Sequence, residues 1–173
     1  MTNQDIHSLH HVIVTGCHRP DRWPWPERVI LGMGGYAVVY RLLGLAVKLG
    51  RVTSPEADTQ RLFAARGLAL PVLAYYPELA GLPDPVRREV CPRHGVRREI
   101  LPAPAPCRCA ELPAALVMPL TDAHATIEPD DLRTFIMGFS REAEQSGLVW
   151  DARPANVARY QGRLVALDFG EPS

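Results

Sequence analysis

The sequence predicts a single α+β domain in which an antiparallel sheet comes first and a smaller helical part follows. Short segments rich in β-branched and aromatic residues fill residues 28–49, with turn residues between them. Two helix patterns, each with an early proline, early acids and a final glycine, cover residues 54–67 and 127–147. A chain of 173 residues that is 47% hydrophobic and 22% charged is also large and apolar enough to bury one core.

The charge balance and the hydropathy exclude several classes of protein. Lys and Arg together number 19, as do Asp and Glu, so no net charge attracts nucleic acid or an anionic membrane. No apolar run reaches the roughly 18 residues of a membrane helix, and the N-terminus lacks a signal-peptide pattern. We therefore expect a cytoplasmic protein without nucleic-acid or membrane partners. In that compartment, cysteines are expected to be metal ligands or free thiols rather than disulfides.

Residues 1–26 are predicted to form an N-terminal arm. Their run Trp23-Pro-Trp-Pro26 cannot join a regular element, because proline fixes φ and lacks an N–H donor.

A glycine cluster lies between the first two strand-like segments and predicts a hairpin over residues 28–40. Glycines let the backbone approach a ligand closely, and their N–H groups can face phosphate oxygens. The cluster consists of Gly32, Gly34 and Gly35. A tight turn without a ligand is the alternative.

A third strand is predicted after a short link, and it ends in a lysine: Leu45-Ala-Val-Lys48. Lysine is rarely placed in an interior unless it is paired, which indicates a specific role for Lys48.

The next two elements are predicted to be a helix and a strand. The helix covers residues 54–66, with Ser54 as its N-cap and Pro55 at the first helical position. Gly67 ends this helix. Residues 68–76 are predicted to be the following strand.

Residues 84–113 are predicted to be a proline-rich insertion with a metal site. The insertion offers three thiols and one imidazole, which suffice to close a tetrahedral Zn²⁺ site. Such a site is structural because no position is left open for catalysis, and the metal supplies folding energy to a segment with few apolar residues. The ligands are Cys91, His94, Cys107 and Cys109. Three free thiols and a surface histidine are the alternative.

Two further elements complete the predicted core. The segment Ala114-Ala-Leu-Val-Met118 has the composition of a buried strand, and Ile127–Leu132 opens a second helix. This helix is stopped by Gly147 and carries one apolar stripe at helical spacing. We expect the stripe to be core and nothing more; its residues are Leu132, Phe135, Ile136, Phe139 and Ala143.

The last part of the sequence carries the strongest chemical signal. Asp151 and Asn156 flank a short loop, and Asp168-Phe-Gly170 comes after a strand-like segment at 162–167. Carboxylate and amide oxygens are hard donors of the kind that bind Mg²⁺ or Mn²⁺. This spacing predicts a phosphate-and-metal site.

Taken in order, these motifs resemble those of the protein kinase-like superfamily over residues 28–170. The resemblance implies an α+β, kinase-like fold with an antiparallel-sheet small lobe that has one helix, and a much reduced helical second lobe. Residues 27–121 correspond to the small lobe, including the insertion, and residues 122–173 to the second lobe. The motifs are Gly32-x-Gly34-x-Tyr-Ala-x-Val-Tyr40, Ala46-Val-Lys48, an acid of the first helix, Asp151-x-x-x-x-Asn156 and Asp168-Phe-Gly170.

The resemblance implies that the chain binds ATP. The glycine loop covers the phosphates, and Lys48 grips them with the help of a helix acid. Glu56 is the first candidate because it shares a helix face with Gln60 and Phe63, whereas Asp58 is the alternative with a shorter reach. A role of both acids in complementing the helix dipole alone also stays open. Adenine is expected to meet Met118, Pro119 and Thr121.

The resemblance also implies a role for each polar residue near the C-terminus. Asp168 binds Mg²⁺ or Mn²⁺, and Asn156 holds a second metal ion. Asp151 accepts the proton of the acceptor hydroxyl. Arg153 stands where many protein kinases have lysine, and it steadies the transferring γ-phosphoryl group.

Two departures from the family pattern shape the expected function. Val149-Trp150 replaces the usual His-Arg, and no activation segment or later helix follows Gly170, as in a miniature kinase truncated at this motif. We expect another molecule to complete the acceptor side, either a second copy in a homodimer or a partner protein. The expected function is a minimal Ser/Thr protein kinase, with a protein acceptor favoured over a small molecule. The alternative is a catalytically weak or inactive nucleotide-binding regulator or interaction module with structural zinc.

Overall fold

The protein has a mixed α+β fold with a five-stranded antiparallel sheet, which confirms the predicted class. The structure is a computed structural model that describes residues 29–34, 37–42, 44–79, 88–91, 94, 113–122, 126–148 and 150–169. The predicted N-terminal arm, Gly35, Gly170 and most of the 84–113 insertion, with Cys107 and Cys109, lie outside the described residues. Within the described ranges, no helix has the length and apolar character that a membrane span requires.

The chain divides into two compact units. The first comprises the chain up to Val52 together with Leu73–Met118, and the second comprises Thr53–Val72 and the chain from Pro119 onward. The helix predicted at 54–66 thus belongs to the second unit, whereas the sequence interpretation grouped it with residues 27–121.

The first unit is built on the five-stranded sheet. Its strands are arranged in the order β1-β2-β3-β5-β4. Antiparallel pairing of β1 with β2, and of β2 with β3, confirms both predicted hairpins. The bounds are β1 Val29–Met33, β2 Ala37–Leu42, β3 Leu45–Gly50, β4 Ala74–Tyr76 and β5 Ala114–Pro119.

A glycine lies at each of the two hairpin turns. At the first turn, the N–H of Gly34 donates to the carbonyl of Ala37 at 2.9 Å. At the second turn, Leu42 pairs with Leu45, and Gly44 adopts a φ of 75°, a left-handed conformation that glycine takes without a steric penalty. The short link between β2 and β3 is therefore a minimal hairpin, as the sequence predicts.

Alternation along the strands divides the residues of the sheet between two faces. Residues of one face form a continuous buried cluster with Leu79 and Val90, which lie outside the strands. This cluster is the core of the first unit, and its strand residues are Val38, Tyr40, Leu42, Leu45, Val47, Leu49, Ala115 and Val117.

The strand predicted over residues 68–76 is wrong for most of its length, because only Ala74–Tyr76 forms β4. Pro71 interrupts the segment, since it has no N–H to donate to a sheet. Ala69 instead forms a parallel bridge with Ala166, which belongs to the second unit.

Among the described residues, the second unit contains two helices and a hairpin. Its elements are α1 Ser54–Ala65, α2 Pro129–Gln145, a single 3₁₀ turn Pro154–Asn156, β6 Val157–Tyr160 and β7 Arg163–Ala166. The strands β6 and β7 pair antiparallel in a separate two-stranded sheet.

A hydroxyl side chain caps the start of α1 and a glycine follows its end. The predicted N-cap is wrong by one residue. Thr53, rather than Ser54, is the N-cap: its backbone is extended, and its hydroxyl accepts a hydrogen bond from the N–H of Glu56 at 3.3 Å. Ser54 is the first helical residue instead. Gly67, with a φ of 74°, terminates the helix as predicted.

Aromatic rings dominate the core of the second unit. The ring of Phe139 lies 5.0 Å from that of Phe63 and 4.6 Å from that of Trp150, in tilted and edge-on arrangements. Phe169 stacks on Phe63 at 5.8 Å. Such pairs add about 0.5–1.5 kcal/mol each beyond the burial of their surface. The stripe predicted on the second helix is confirmed, because all five of its residues belong to this cluster.

We expect Phe139→Ala to lower the free energy of unfolding by about 3–5 kcal/mol, because it leaves a cavity beside the rings of Phe63, Phe135, Trp150 and Phe169. Urea denaturation measures this change. Met137→Ala, on the same helix but with Met137 61% exposed, is the matched control and should shift stability by no more than about 0.5 kcal/mol. Equal effects of the two substitutions would contradict the assigned core.

Candidate active site

The β6–β7 hairpin sets the spacing of the C-terminal polar residues. Gln161 and Gly162 form its two-residue turn with φ values of 51° and 77°, the positive values that a type I′ turn requires. Val157 pairs with Ala166 at the open end of the hairpin. The residues just before β6 and just after β7 are therefore held side by side.

Leu167 joins these two flanking segments through its main chain. Its N–H donates to the carbonyl of Asn156 at 2.7 Å, and its carbonyl accepts the indole N–H of Trp150 at 3.0 Å. Asp151 follows Trp150, and Asp168 follows Leu167. The loop from 150 to 156 and the second acidic residue are thereby fixed next to each other.

Hydrogen bonds within the loop shape the segment between Asp151 and Asn156. The side-chain amide of Asn156 donates to the carbonyl of Asp151 at 2.9 Å. The N–H of Arg153 donates to that same carbonyl at 2.8 Å, and the N–H of Asn156 donates to the carbonyl of Arg153 at 2.9 Å. Asn156 is 9% exposed, so its amide is held in place with its carbonyl oxygen as the remaining acceptor.

Arg153 and Asp151 form an ion pair. Nε of Arg153 donates to Oδ2 of Asp151 at 2.6 Å, and Nη2 of Arg153 donates to the same oxygen. This hydrogen bonding, with the negative charge of Asp151 and a smaller contribution from that of Asp168, raises the pKa of Arg153 above its usual value. The side chain of Arg153 is 63% exposed and that of Asp151 is 24% exposed, so the pair is open to water.

Asp168 has a left-handed backbone conformation, with a φ of 57°. Aspartate is among the few non-glycine residues that tolerate this region. The next residue, Phe169, packs against Phe63 and Phe139 in the core of the second unit. Asp168 itself is exposed, so neighbouring positions carry a partly buried aromatic anchor and a carboxylate at the surface.

Gly32 of β1 and Lys48 of β3 lie in one row across the first unit's sheet. Val39 of β2 pairs with Gly32 on one side and with Lys48 on the other. Val38 and Val47 belong to the core, so Lys48 and Val39 lie on the opposite face.

Met118 lies on that same face, because Ala115 and Val117 of β5 face the core and strand residues alternate. Met118 is buried, whereas Pro119 and Thr121 beyond it are partly exposed. The structure therefore brings three predicted nucleotide-binding positions, Gly32, Lys48 and Met118, to one face of the sheet.

The two candidate acids of α1 differ in their surroundings. Glu56 is 4% exposed. Asp58 is 70% exposed and forms an ion pair with Arg61 at 2.7 Å on the same helix. Burial of a carboxylate is costly unless it is compensated, so Glu56 is the one placed for a specific partner. Its pairing with Lys48 stays a prediction.

Only half of the predicted zinc ligand set lies in the described residues. Sγ of Cys91 lies 3.6 Å from Nδ1 of His94. Over the described ranges, no group of three or more His, Cys, Asp or Glu residues is close enough to hold a metal ion.

Sequence reasoning missed two residues that position the site. In the sequence, Trp150 stands out only as a departure from the family pattern. In the structure, its indole N–H donates to the carbonyl of Leu167, and its ring packs on Phe139. Gln60 is 1% exposed and donates to the carbonyl of Leu70 at 2.8 Å, which ties α1 to the segment after it. The sequence signal for Trp150 is an aromatic residue directly before Asp151. A glutamine within a helix, such as Gln60, gives no such signal.

Comparison with known proteins gives no match: no protein-family model fits the chain, and no curated protein resembles it significantly.

We expect Trp150→Phe to lower the free energy of unfolding by about 1–3 kcal/mol, because it removes the N–H that satisfies the Leu167 carbonyl but keeps a ring in the core. Urea denaturation measures the loss. Tyr160→Phe removes a hydroxyl that accepts from exposed Gln161 at 3.2 Å and should be nearly neutral. A neutral Trp150→Phe would show that this bond does not hold the loop.

Proposed function

We propose that the protein is an ATP-dependent phosphotransferase, a minimal Ser/Thr protein kinase of the protein kinase-like superfamily. The observation that carries the proposal is the arrangement around Leu167, which holds Asp151, Asn156 and Asp168 next to one another. Two carboxylates and an amide, with one guanidinium beside them, are what phosphoryl transfer needs for metal binding, proton acceptance and charge stabilisation.

The donor set fits a divalent metal ion. The carboxylate of Asp168 and the amide oxygen of Asn156 are hard oxygen donors, and the amide nitrogen of Asn156 is already occupied by the Asp151 carbonyl. These two residues would hold Mg²⁺ or Mn²⁺. When bound with ATP, the metal neutralises charge on the phosphate oxygens.

The remaining nucleotide contacts are assigned to residues of the glycine loop, β3 and the end of β5. The backbone at Gly32 and Gly34 has open space where a side chain would project, since a Cβ at Gly32 would meet no atom within 4 Å and one at Gly34 only an oxygen at 3.7 Å. Lys48 and Met118 share the face of the sheet on which Gly32 lies. We assign phosphate binding to Gly32, Gly34 and Lys48, and adenine contact to Met118, Pro119 and Thr121.

Asp151 would act as the proton acceptor. Its partly exposed carboxylate can take a proton from a serine or threonine hydroxyl, but Oδ2 is bonded to Arg153 in this structure. Arg153 therefore has to change partner before Oδ2 can accept. An incoming phosphate group offers that partner, because guanidinium binds phosphate oxygens in a bidentate manner.

A second candidate function is a nucleotide-binding regulator with little or no transfer activity. The engagement of Oδ2 by two donors of Arg153 favours it, because that oxygen is not available to an acceptor hydroxyl while the ion pair persists.

Asp151→Asn separates the two candidates. We expect it to reduce transfer of labelled phosphate from ATP to Ser/Thr of an added protein or of the chain itself by about 100- to 10,000-fold, with nucleotide-dependent thermal stabilisation kept. Asp58→Asn, which neutralises an exposed acid paired with Arg61, is the matched control and should leave transfer unchanged. If nucleotide stabilises the unaltered protein but no phosphate is transferred, the result would overturn the phosphotransferase proposal and support the nucleotide-binding regulator.

Arg153→Met is expected to reduce turnover by about 100-fold, the loss typical of one removed charge-stabilising donor. Arg153→Lys keeps the positive charge but loses the bidentate donors, so it should reduce turnover less than Arg153→Met does. Steady-state kinetics should show the loss mainly in kcat, because the charge that Arg153 meets develops during transfer. Arg141→Met, at an exposed position of α2, is the control. An increase in turnover for Arg153→Met would instead identify the ion pair as inhibitory.

A further inference from the structure

The Cys91–His94 pair has the geometry of two ligands of one metal ion. In a tetrahedral zinc site, Zn–S bonds of about 2.3 Å and Zn–N bonds of about 2.05 Å place sulfur and nitrogen about 3.6 Å apart. Sγ of Cys91 and Nδ1 of His94 are 3.6 Å apart. We infer that Cys91 and His94 bind a structural zinc ion, a site that is separate from the proposed phosphotransferase residues.

The local backbone directs both side chains to the same point. The N–H of Cys91 donates to the carbonyl of Arg88 at 3.2 Å, and the N–H of His94 donates to the carbonyl of Cys91 at 3.2 Å. This turn follows the short helical stretch at 88–90. A Cys-x-x-His turn of this kind presents a thiolate and an imidazole together, as structural zinc sites do.

The pair is anchored to the sheet of the first unit. Val90 is 6% exposed and packs in the sheet core, and Cys91, 3% exposed, follows it directly. Leu79, which precedes the insertion, lies in that same core. Its N–H donates to the carbonyl of Pro113, the last residue of the insertion, at 2.9 Å. A metal ion on Cys91 would therefore lie next to the core of the sheet.

The chemistry of the donors favours zinc over other ions. Thiolate and imidazole are soft and borderline ligands, which select Zn²⁺ rather than the Mg²⁺ or Mn²⁺ proposed for the phosphate site. His94 is exposed, so an ion can reach the pair from solvent. The sequence also predicts Cys107 and Cys109 as zinc ligands, and a separate double variant tests them.

Metal analysis of the full-length protein tests the site. We expect about one zinc ion per chain after purification without added chelator, and a loss of that ion in both Cys91→Ser and His94→Gln. His94→Gln changes an exposed side chain, so it keeps the proposal testable if the buried Cys91→Ser does not fold. Cys17→Ser, at the cysteine outside the predicted ligand set, is the matched control and should keep the zinc.

Cobalt substitution reports on the same ligands directly. Protein refolded with Co²⁺ alone should show a thiolate-to-cobalt charge-transfer band that weakens in Cys91→Ser, whereas a band unchanged in that variant would overturn the proposal. A metal-free native protein, or zinc retained in His94→Gln, would also overturn it and leave the 3.6 Å contact as a thiol–imidazole hydrogen bond. Loss of zinc in Cys107→Ser/Cys109→Ser would support a four-ligand site. None of these readouts depends on phosphate transfer, so this proposal and the kinase proposal fail separately.

Discussion

The two main-chain hydrogen bonds of Leu167 are the constraint on which the candidate active site depends. One bond fixes the end of the 150–156 loop through Asn156, and the other fixes its beginning through Trp150. The β6–β7 hairpin brings Leu167 to that place, because its two-residue turn sets the register of the strands. Asp168 directly follows Leu167, so these bonds also fix its position, and its carboxylate is exposed.

In the first unit, the alternation of side chains between the two faces of the sheet decides which residues can meet a ligand. One face of the sheet is filled by the core, so chemistry on this sheet has to use the residues of the other face. Lys48 is a half-buried charged residue in a strand whose neighbours are buried, and it pairs across the sheet with Val39. The absence of a side chain at Gly32 leaves space at the end of the same row. The sheet thereby presents a cation and an accessible backbone together.

Most of the fold could be predicted from the sequence, because side-chain patterns report on local structure. The apolar stripe of α2 and the terminating Gly67 and Gly147 are signals of this kind, and the structure has each where it was predicted. The N-cap was misplaced because Thr53 and Ser54 both offer a hydroxyl, and only the backbone angles separate them. The segment at 68–73 was misassigned because its partner, Ala166, lies far along the chain. The role of Leu167 was not visible at all, since it acts through main-chain atoms that every residue has.

The charges around the loop explain why an arginine suits position 153. Asp151 and Asp168 bring two negative charges to neighbouring positions, and both raise the pKa of Arg153. Without ligands, Arg153 offsets part of this repulsion by bonding to Asp151. A divalent cation on Asp168 would take over that role, and phosphate groups would then compete with Asp151 for the guanidinium. Because the guanidinium is exposed and the carboxylate is partly exposed, exchanging one partner for another costs little free energy. In the proposed phosphotransferase, Arg153 would thus balance the acids at rest and the phosphate during transfer, a double role that follows from its permanent charge and its several donors.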